Sequence, residues 1–407
     1  MKKIASLLFA LILMFSCSVI SFAEQSSPLT ETELQAKYKK LAGTSINVYN
    51  WGEYISDGSE GAMDVNKEFE RLTGIKVNYT TYDTNESMYT KLKSGGAAYD
   101  IIIPSDYMIQ RLIEEDYLEK INFDNIPNYK NIMEKYKGLY YDPQNEYSVP
   151  YNVGMVGIIY NKTMVSGNPT SWSLMWDEKY SGQILQFNNP RDGFASAMFL
   201  LGIDVNTQDE KEWRRAYDKL VEQKSVVQSY VSDEIYNKME AGDAAIAAYY
   251  AGDYLLMKDN NPDLEFYYPE EGTNIFVDAM CIPKGCQNKE AAELYINFLL
   301  SEDVALANAE YLYYATPNET VINNDDYSLK GNPILYPDEA DMPKTTYYHN
   351  LDQHTLSLMT RLWSELKIEG ASNTGVYIKL GVALGLGVAV IIYTTIKKKK
   401  REKLYDV

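Results

Sequence analysis

The sequence predicts an α/β protein with mainly parallel sheets and enough residues for two lobes. Short apolar runs alternate with segments of helical spacing along most of the chain, which is the pattern of parallel strands covered by helices. Between two apolar terminal segments lie about 350 residues, more than the 50–250 of a typical single domain. We therefore expect a two-lobed α/β body with a membrane-directed segment at each end.

Each predicted strand is a short apolar or β-branched run, and each predicted helix has 3.6-residue spacing and an end signal. Gly74 and the pair Gly95-Gly96 end two of these helices, because glycine readily adopts the conformation that terminates a helix. Strands are predicted at 45–49, 75–82, 100–104, 156–161, 184–187 and 244–250. Helices are predicted at 31–41, 64–73, 86–93, 210–223, 233–241 and 288–300, and another opens at Thr170-Ser171-Trp172.

The first 23 residues have the parts of a secretory signal peptide. Two lysines precede a short apolar stretch, and Ser21-Phe22-Ala23 offers a small-residue cleavage site. Cys17 raises the alternative of a lipoprotein signal, although the three residues before it match that pattern poorly. We expect an extracytoplasmic protein, in which residues 24–44 form a polar leader.

The other end of the chain predicts a transmembrane helix. Residues 376–396 are apolar except for Lys379, and five basic residues follow at once. A helix of this length is about 31 Å long, close to the hydrocarbon thickness of a bilayer. The basic cluster in 397–407 predicts a cytoplasmic tail, so the protein would be single-pass, held in the cell membrane with its body outside.

Charge separates the function classes. The chain has 57 acidic and 38 basic residues and a formal net charge of −19. Such a surface repels nucleic acid and concentrates cations by long-range attraction. We therefore exclude a nucleic-acid partner, while solubility alone stays an alternative explanation of the charge.

Two cysteines remain once the signal peptide is removed. Cys281 and Cys286 are close enough in sequence for a small disulfide loop, and disulfides are stable outside the cytoplasm. The alternative, which we favour, is a buried Cys281 beside an exposed and unpaired Cys286.

Short motifs in a fixed order resemble the spermidine/putrescine-binding proteins of bacterial ABC transporters. The order from residue 50 to residue 337, not any one motif, carries the resemblance. The motifs are Asn50-Trp51-Gly52-Glu53-Tyr54, 69–77, 84–92, Tyr99-Asp100, Pro104-Ser105-Asp106-Tyr107, 147–151, 170–182, Asp278-Ala279-Met280, Ala315-Thr316-Pro317-Asn318 and Leu335-Tyr336-Pro337.

The resemblance implies a type II periplasmic-binding-protein fold, in which two α/β lobes joined at a hinge close over a ligand. It places the N-terminal lobe at 45–152 and 279–322, and the C-terminal lobe at 153–278 and 323–372. It further implies a solute-binding component of an ABC importer that delivers spermidine or putrescine to the permease. No catalysis, cofactor or metal is implied.

A polyamine is an alkyl chain with several ammonium groups. Carboxylates must pair with those charges out of water, and aromatic faces can cover the methylenes and attract the cations. At the family's ligand positions this chain has Trp51, Tyr54, Ser105, Tyr107, Asn189, Asp192, Tyr250, Asp253, Phe276, Asp278, Tyr314 and His349. Asp278 resembles the acid that binds an amine throughout the family. Asn189 replaces an acid of spermidine binders, and Asp253 resembles one of putrescine binders, so the preferred polyamine stays open.

Three other function classes stay as alternatives. A membrane-anchored enzyme has little support, because His349 and His354 are the two histidines of the chain and no catalytic motif accompanies them. A binding protein for another small cation, a metal such as ferric ion, thiamine or an amino acid would use the same fold with other ligands. A purely structural surface protein would bind no small cation.

Overall fold

Strands and helices alternate along the chain in the computed structural model, which describes residues 30–95 and 98–369. The strands of these residues are β1 Ser45–Trp51, β2 Lys76–Tyr82, β3 Ile101–Ile102, β4 Ser148–Asn161, β5 Ile184–Phe187, β6 Val227–Val231, β7 Ile246–Tyr250, β8 Leu264–Tyr267, β9 Thr273–Cys281 and β10 Thr345–Thr346. The α-helices are α1 Glu31–Leu41, α2 Val65–Thr73, α3 Asn85–Lys93, α4 Asp106–Glu114, α5 Pro190–Leu201, α6 Glu210–Gln223, α7 Glu234–Glu240, α8 Ala251–Asn260, α9 Lys289–Leu299, α10 Glu302–Leu312, α11 Glu319–Asn323 and α12 Gln353–Glu369. The helix predicted to open at Thr170 is a short 3-10 helix, Trp172–Trp176.

Local sequence sets the ends and the buried face of α2. Asp64 caps the first turn by accepting a backbone N–H at 2.9 Å, and Gly74 ends the helix in the left-handed conformation with φ 71°. Val65, Phe69 and Thr73 recur every four residues and are buried, so they form one apolar stripe. The helix is therefore fixed at both ends by its own sequence and on one face by packing.

The strands pair in the order β2-β1-β3-β9-β4-β7-β5-β6, with β8 on β4 and β10 on β9. β1 pairs in parallel with β2 and β3, and β5 pairs in parallel with β6 and β7. Those two parallel groups are the sheets of the two lobes.

Two long strands join the lobes and run antiparallel to each other. The first half of β4 pairs with β9, from Ser148 opposite Cys281 to Met155 opposite Ile275. The second half of β4 pairs with β7 and β8. The expectation of mainly parallel sheets is therefore wrong at the centre of the molecule, because the chain crosses between the lobes along this buried antiparallel pair.

Two large clusters and one small cluster of buried apolar side chains hold the described elements together. One large cluster includes Phe69 and Tyr295, whose rings meet edge to face with centroids 5.0 Å apart. The other large cluster includes Phe194 and Trp213, with centroids 5.1 Å apart. These cores leave the carboxyl ends of the parallel strands free to form a site.

The predicted fold class needs one correction. The two-lobed α/β part fits the structure, but no helix within residues 30–95 and 98–369 is long and apolar enough to cross a membrane. The longest helix described there, α12, has 17 residues, and its last nine residues include Arg361, Glu365 and Lys367, whereas a span needs about 20 mostly apolar residues. The transmembrane prediction at 376–396, like the signal peptide at 1–23 and the tail at 397–407, lies outside the described residues. Within residues 30–95 and 98–369 the fold is therefore two-lobed and contains no membrane-spanning helix.

Both cysteines of the described chain are unpaired. Cys281 is fully buried in β9, and Cys286 is partly buried with its Sγ 3.2 Å from Asp100 Oδ1. The preference for unpaired thiols is confirmed, although Cys286 is less exposed than expected. Burial and the neighbouring carboxylate of Asp100 raise the pKa of Cys286 to about 12.

Candidate ligand-binding cleft

The carboxyl ends of the parallel strands from both lobes converge on one cleft. Ligands of open α/β sheets bind outside these strand ends, and the cleft of this protein measures about 1010 Å³, counting its open mouth. Eight acidic side chains line it: Glu53, Asp83, Glu86, Asp106, Asp192, Asp233, Asp253 and Asp278. Its aromatic lining consists of Trp51, Tyr54, Tyr82, Tyr107, Phe187, Tyr236, Tyr249, Tyr250, Phe276, Tyr314 and Tyr348. Among the described lining residues, Arg191 is the one basic side chain.

The structure brings eleven of the twelve sequence-predicted site residues into this cleft. His349 lies outside it: its side chain is exposed, and its ring packs on Tyr140 with centroids 4.3 Å apart. The preceding residue, Tyr348, lines the cleft instead.

Asp278 faces the cleft from β9. It is 3% exposed, and its Oδ2 accepts a hydrogen bond from the Tyr54 hydroxyl at 2.7 Å. Its Oδ1 has no partner within hydrogen-bond geometry. Burial raises the pKa of Asp278 to about 6, although the hydroxyls of Ser105 and Tyr54 act to lower it. The carboxylate is therefore fixed in orientation and has one oxygen left to accept.

Asp253 is held by two tyrosine hydroxyls. Tyr314 donates to its Oδ2 at 2.6 Å, and Tyr236 donates to its Oδ1. Burial raises the pKa of Asp253 to about 6 against these hydrogen bonds. Because Tyr314 follows α10 and Asp253 lies in α8, this pair also ties two distant segments together.

Asp192 has three neutral donors. The Tyr250 hydroxyl and the Asn189 amide donate to its Oδ2 at 2.7 and 2.9 Å, and the Tyr348 hydroxyl donates to its Oδ1 at 3.0 Å. Burial raises the pKa of Asp192, while these donors and the nearby Arg191 lower it. The Asn189 side chain thus orients an acid.

Four of the lining acids lie in the first turn of a helix that begins at the cleft. Glu86 is in α3, Asp106 in α4, Asp192 in α5 and Asp253 in α8. The partial positive charge at a helix N-terminus stabilises a carboxylate. The four helix N-termini therefore offset part of the free-energy cost of bringing several carboxylates together in a partly buried cleft.

Aromatic rings form the walls between the acids. Tyr54 and Tyr314 meet edge to face with centroids 5.3 Å apart, and Tyr250 and Phe276 do so at 5.5 Å. Rings in this arrangement keep one another in place and present apolar surface to the cleft.

Several lining residues were not predicted from the sequence. Arg191 is buried, and its guanidinium lies 4.6 Å from the Tyr348 ring centroid. Asp106 is fully buried, and it accepts the backbone N–H of Tyr107 at 2.7 Å, so it shapes the start of its helix. Glu86 belongs to a motif that resembles the family, but the sequence does not mark it as a site residue. First-turn acids after a predicted strand were the signal that could have found Glu86 and Asp106.

Metal binding has no geometric support in the described chain. Within residues 30–95 and 98–369, no three histidine, cysteine or acidic side chains come together in a way that could hold an ion. The rings of Tyr54 and Tyr314 lie between two of the lining acids, Asp278 and Asp253.

The fold and cleft agree with known proteins. Residues 97–345 match the family model described as bacterial extracellular solute-binding protein. A spermidine/putrescine-binding periplasmic protein of Salmonella typhimurium is 33% identical over 309 residues, covering 75% of this chain and 87% of the relative. A putrescine-binding periplasmic protein of Pseudomonas aeruginosa is 28% identical, covering 79% and 91%.

Solved structures give the same result. One from Listeria monocytogenes superposes with a TM-score of 0.76 at 35% identity, covering 80% of this chain and all of the other. The spermidine/putrescine ABC transporter substrate-binding protein of Streptococcus pneumoniae gives 0.67 at 33% identity, covering 81% and 100%.

Two sheets joined by crossing strands, with a charged cleft between them, define the class of solute-binding proteins. The chain belongs to the bacterial extracellular solute-binding protein family, together with the spermidine/putrescine-binding proteins. It is a binding component of a transporter and not an enzyme.

Proposed function

We propose that this protein captures a linear polyamine, spermidine or putrescine, in the cleft and delivers it to the permease of an ABC importer. The observation that supports this most directly is the composition of the cleft, where eight acids face one guanidinium. Relatives named for spermidine and putrescine support the same ligand class.

Charge selects a cationic ligand. Carboxylates collected in a partly buried cleft repel one another and raise one another's proton affinity, so a bound cation relieves a cost that the empty cleft carries. Burial is the largest cause of the raised pKa values of Asp278 and Asp253, and the charges of Asp192 and Asp233 add a smaller contribution, so these carboxylates are costly to ionise until a cation pairs with them. The negative potential of the same acids would repel an anionic solute.

Shape selects a linear cation. The rings of Tyr54 and Tyr314 lie between Asp278 and Asp253, and alkyl segments between ammonium groups gain from contact with aromatic faces. A small hydrated metal ion would instead need several oxygen ligands around one point. Two acids with aromatic rings between them therefore favour an amine with spaced charges over the metal alternative.

The proposed ligand contacts are the eleven cleft residues Trp51, Tyr54, Ser105, Tyr107, Asn189, Asp192, Tyr250, Asp253, Phe276, Asp278 and Tyr314. Asp278 is assigned an ammonium group because its Oδ1 has no other partner. Asn189 is assigned to orient Asp192, to which its side-chain amide donates. His349 is assigned no ligand contact; its backbone carbonyl accepts from Arg191 at 3.1 Å.

Ligand capture is proposed to close the two lobes. The lobes comprise 45–152 with 279–322 and 153–278 with 323–372. Bending near Tyr151 and Asp278 is supported by the register shift in β4 between Pro150 and Asn152, which lies opposite Asp278. A ligand held from both sides stabilises the closed form, which the permease would recognise.

Calorimetric titration of the purified full-length protein tests the proposal. Spermidine or putrescine should bind with one molecule per chain. The matched control ligand is 1,4-butanediol, which has the alkyl chain of putrescine and no charge, and it should not bind. Failure of both amines at millimolar concentration, or equal binding of the diol, would refute the proposal.

A further inference from the structure

Two carboxylate oxygens of the described chain are shielded from solvent and have no hydrogen-bond partner. They are Asp278 Oδ1 and Glu86 Oε2, and both side chains line the cleft. Two other acids of the cleft, Asp192 and Asp253, also accept from tyrosines, and protein donors occupy both oxygens of each. An unpartnered buried carboxylate oxygen is costly, so these two atoms mark places where a donor is missing.

Glu86 is held in place by the protein at its other oxygen. The Tyr107 hydroxyl donates to Glu86 Oε1 at 3.1 Å, and the Asn85 amide donates to the same hydroxyl at 3.1 Å. Because the hydroxyl receives from Asn85, its proton is directed to Glu86. The Glu86 carboxylate is thus oriented by Tyr107 with Oε2 left over.

Arg191 does not supply the missing donor. Its Nη2 donates to Asn206 at 2.9 Å and to the His349 carbonyl at 3.1 Å. Among the ion pairs within the described residues, none joins Arg191 to Glu86. The guanidinium lowers the pKa of Glu86 at longer range, whereas burial, the largest effect, raises it.

We propose that Glu86 binds one ammonium group of the ligand through Oε2, while Asp278 binds another through Oδ1. An ammonium group has three N–H donors and no acceptor. It can therefore donate a hydrogen bond to the unpartnered carboxylate oxygen. The ligand class is then an amine with at least two separated charged groups, each paired with its own carboxylate. This inference rests on the proposed polyamine function.

The test substitutes Glu86→Gln. The amide keeps the size of the side chain and an oxygen that accepts from Tyr107, but it removes the charge. Spermidine should bind between about tenfold and a hundredfold more weakly. The matched control is Glu339→Gln, an exposed acid with no side-chain partner in the described structure, which should bind spermidine like the parent. The melting temperature of ligand-free Glu86→Gln should not fall, because no protein donor loses its acceptor.

Two isomers of acetylated spermidine, each acetylated at a different terminal nitrogen, distinguish a direct contact between Glu86 and the ligand from an indirect effect of the substitution. Each isomer lacks one terminal charge, so the loss caused by Glu86→Gln should be smaller for at least one isomer than for spermidine. An equal loss for all three ligands, or spermidine affinity equal to that of Glu339→Gln, would overturn the role of Glu86 while leaving polyamine binding intact. If the parent binds no polyamine, the proposed function itself fails, and this inference fails with it.

Discussion

The Tyr54 hydroxyl donates to Asp278 Oδ2 at 2.7 Å, although the two residues are 224 positions apart in sequence. The Tyr54 carbonyl in turn accepts from the Tyr151 hydroxyl at 3.0 Å. Tyr54 follows β1, Tyr151 lies in β4 and Asp278 lies in β9. Three strands therefore orient one carboxylate. Because the Asp278 side chain is already ordered, little conformational entropy is lost in fixing it when a ligand binds.

Asp278→Asn should weaken spermidine binding by about 2–5 kcal/mol, because an ammonium would lose its charged partner out of water. Calorimetry with spermidine measures the change. Asp326→Asn is the matched control: it makes the same substitution at an exposed acid outside the cleft and should leave affinity unchanged. Equal affinity in the two variants would remove Asp278 from the site.

Polyamine affinity should fall as pH decreases through 6. The pKa values of Asp278 and Asp253 are raised to about 6 in the ligand-free protein, and only the ionised form pairs with an ammonium. At pH 5 each of these carboxylates should reduce affinity by about tenfold relative to pH 7.5. Calorimetry in matched buffers checks this, and Asp278→Asn should show a shallower decline. Constant affinity from pH 7.5 to 5 would contradict the assignment.

The ligand-free protein should become more stable when Asp278 loses its charge. Its pKa is higher in the folded state than the usual 3.8, so the folded state binds the proton more tightly than the unfolded chain does. The destabilisation is present in full above about pH 6 and disappears as pH falls below about 4. Asp278→Asn should therefore raise the free energy of unfolding at pH 7.5 by at most about 3 kcal/mol.

Thermal unfolding without ligand at pH 7.5 and 4.5 measures this effect as a difference from the parent protein. The gain in melting temperature should be larger at pH 7.5 than at pH 4.5. A lower melting temperature for Asp278→Asn at pH 7.5 would show that the ionised carboxylate stabilises the ligand-free fold, which is the opposite of the expected effect.

Two glycines of β4 provide a matched pair of substitutions. A Cβ on Gly154 would lie 2.2 Å from the Phe276 ring, which lines the cleft. A Cβ on Gly157 would lie 2.2 Å from the Phe266 ring, which does not line it. Gly154→Ala and Gly157→Ala should each destabilise the protein by about 1–3 kcal/mol through overpacking.

Only Gly154→Ala should also weaken polyamine binding, because it displaces a ring that faces the ligand. Chemical denaturation measures the stability of both variants, and calorimetry at a temperature where both are folded measures affinity. Similar losses of affinity in the two variants would show that Phe276 has no specific part in binding.

Sequence predicted the elements that contain their own boundary signals. The helices at 31–41 and 210–223 and the strand at 184–187 were predicted with the bounds that the structure has. The strand Thr273–Cys281 was not predicted, because all nine of its residues are buried and a continuous buried run shows no alternation. Its antiparallel pairing with β4 depends on contacts between segments more than a hundred residues apart.

The candidate site was predictable where resemblance to a family assigned positions, and less so elsewhere. The position of His349 depended on a segment with loose register, and the structure has Tyr348 facing the cleft in its place. Neighbouring side chains of an extended segment point in opposite directions. An alignment error of one residue therefore assigns a surface side chain to the cleft. Arg191 was not predicted, because no rule of composition places a buried basic side chain in a site that is proposed to bind cations.

The decisive experiment for polyamine capture in the cleft is a calorimetric titration of the full-length protein with spermidine at pH 7.5, repeated with Asp278→Asn. We expect saturable binding of one spermidine per chain to the parent and a loss of at least about thirtyfold in the variant. Binding that is absent at millimolar spermidine, or that is unchanged by the substitution, would show that the cleft does not hold an ammonium group at Asp278.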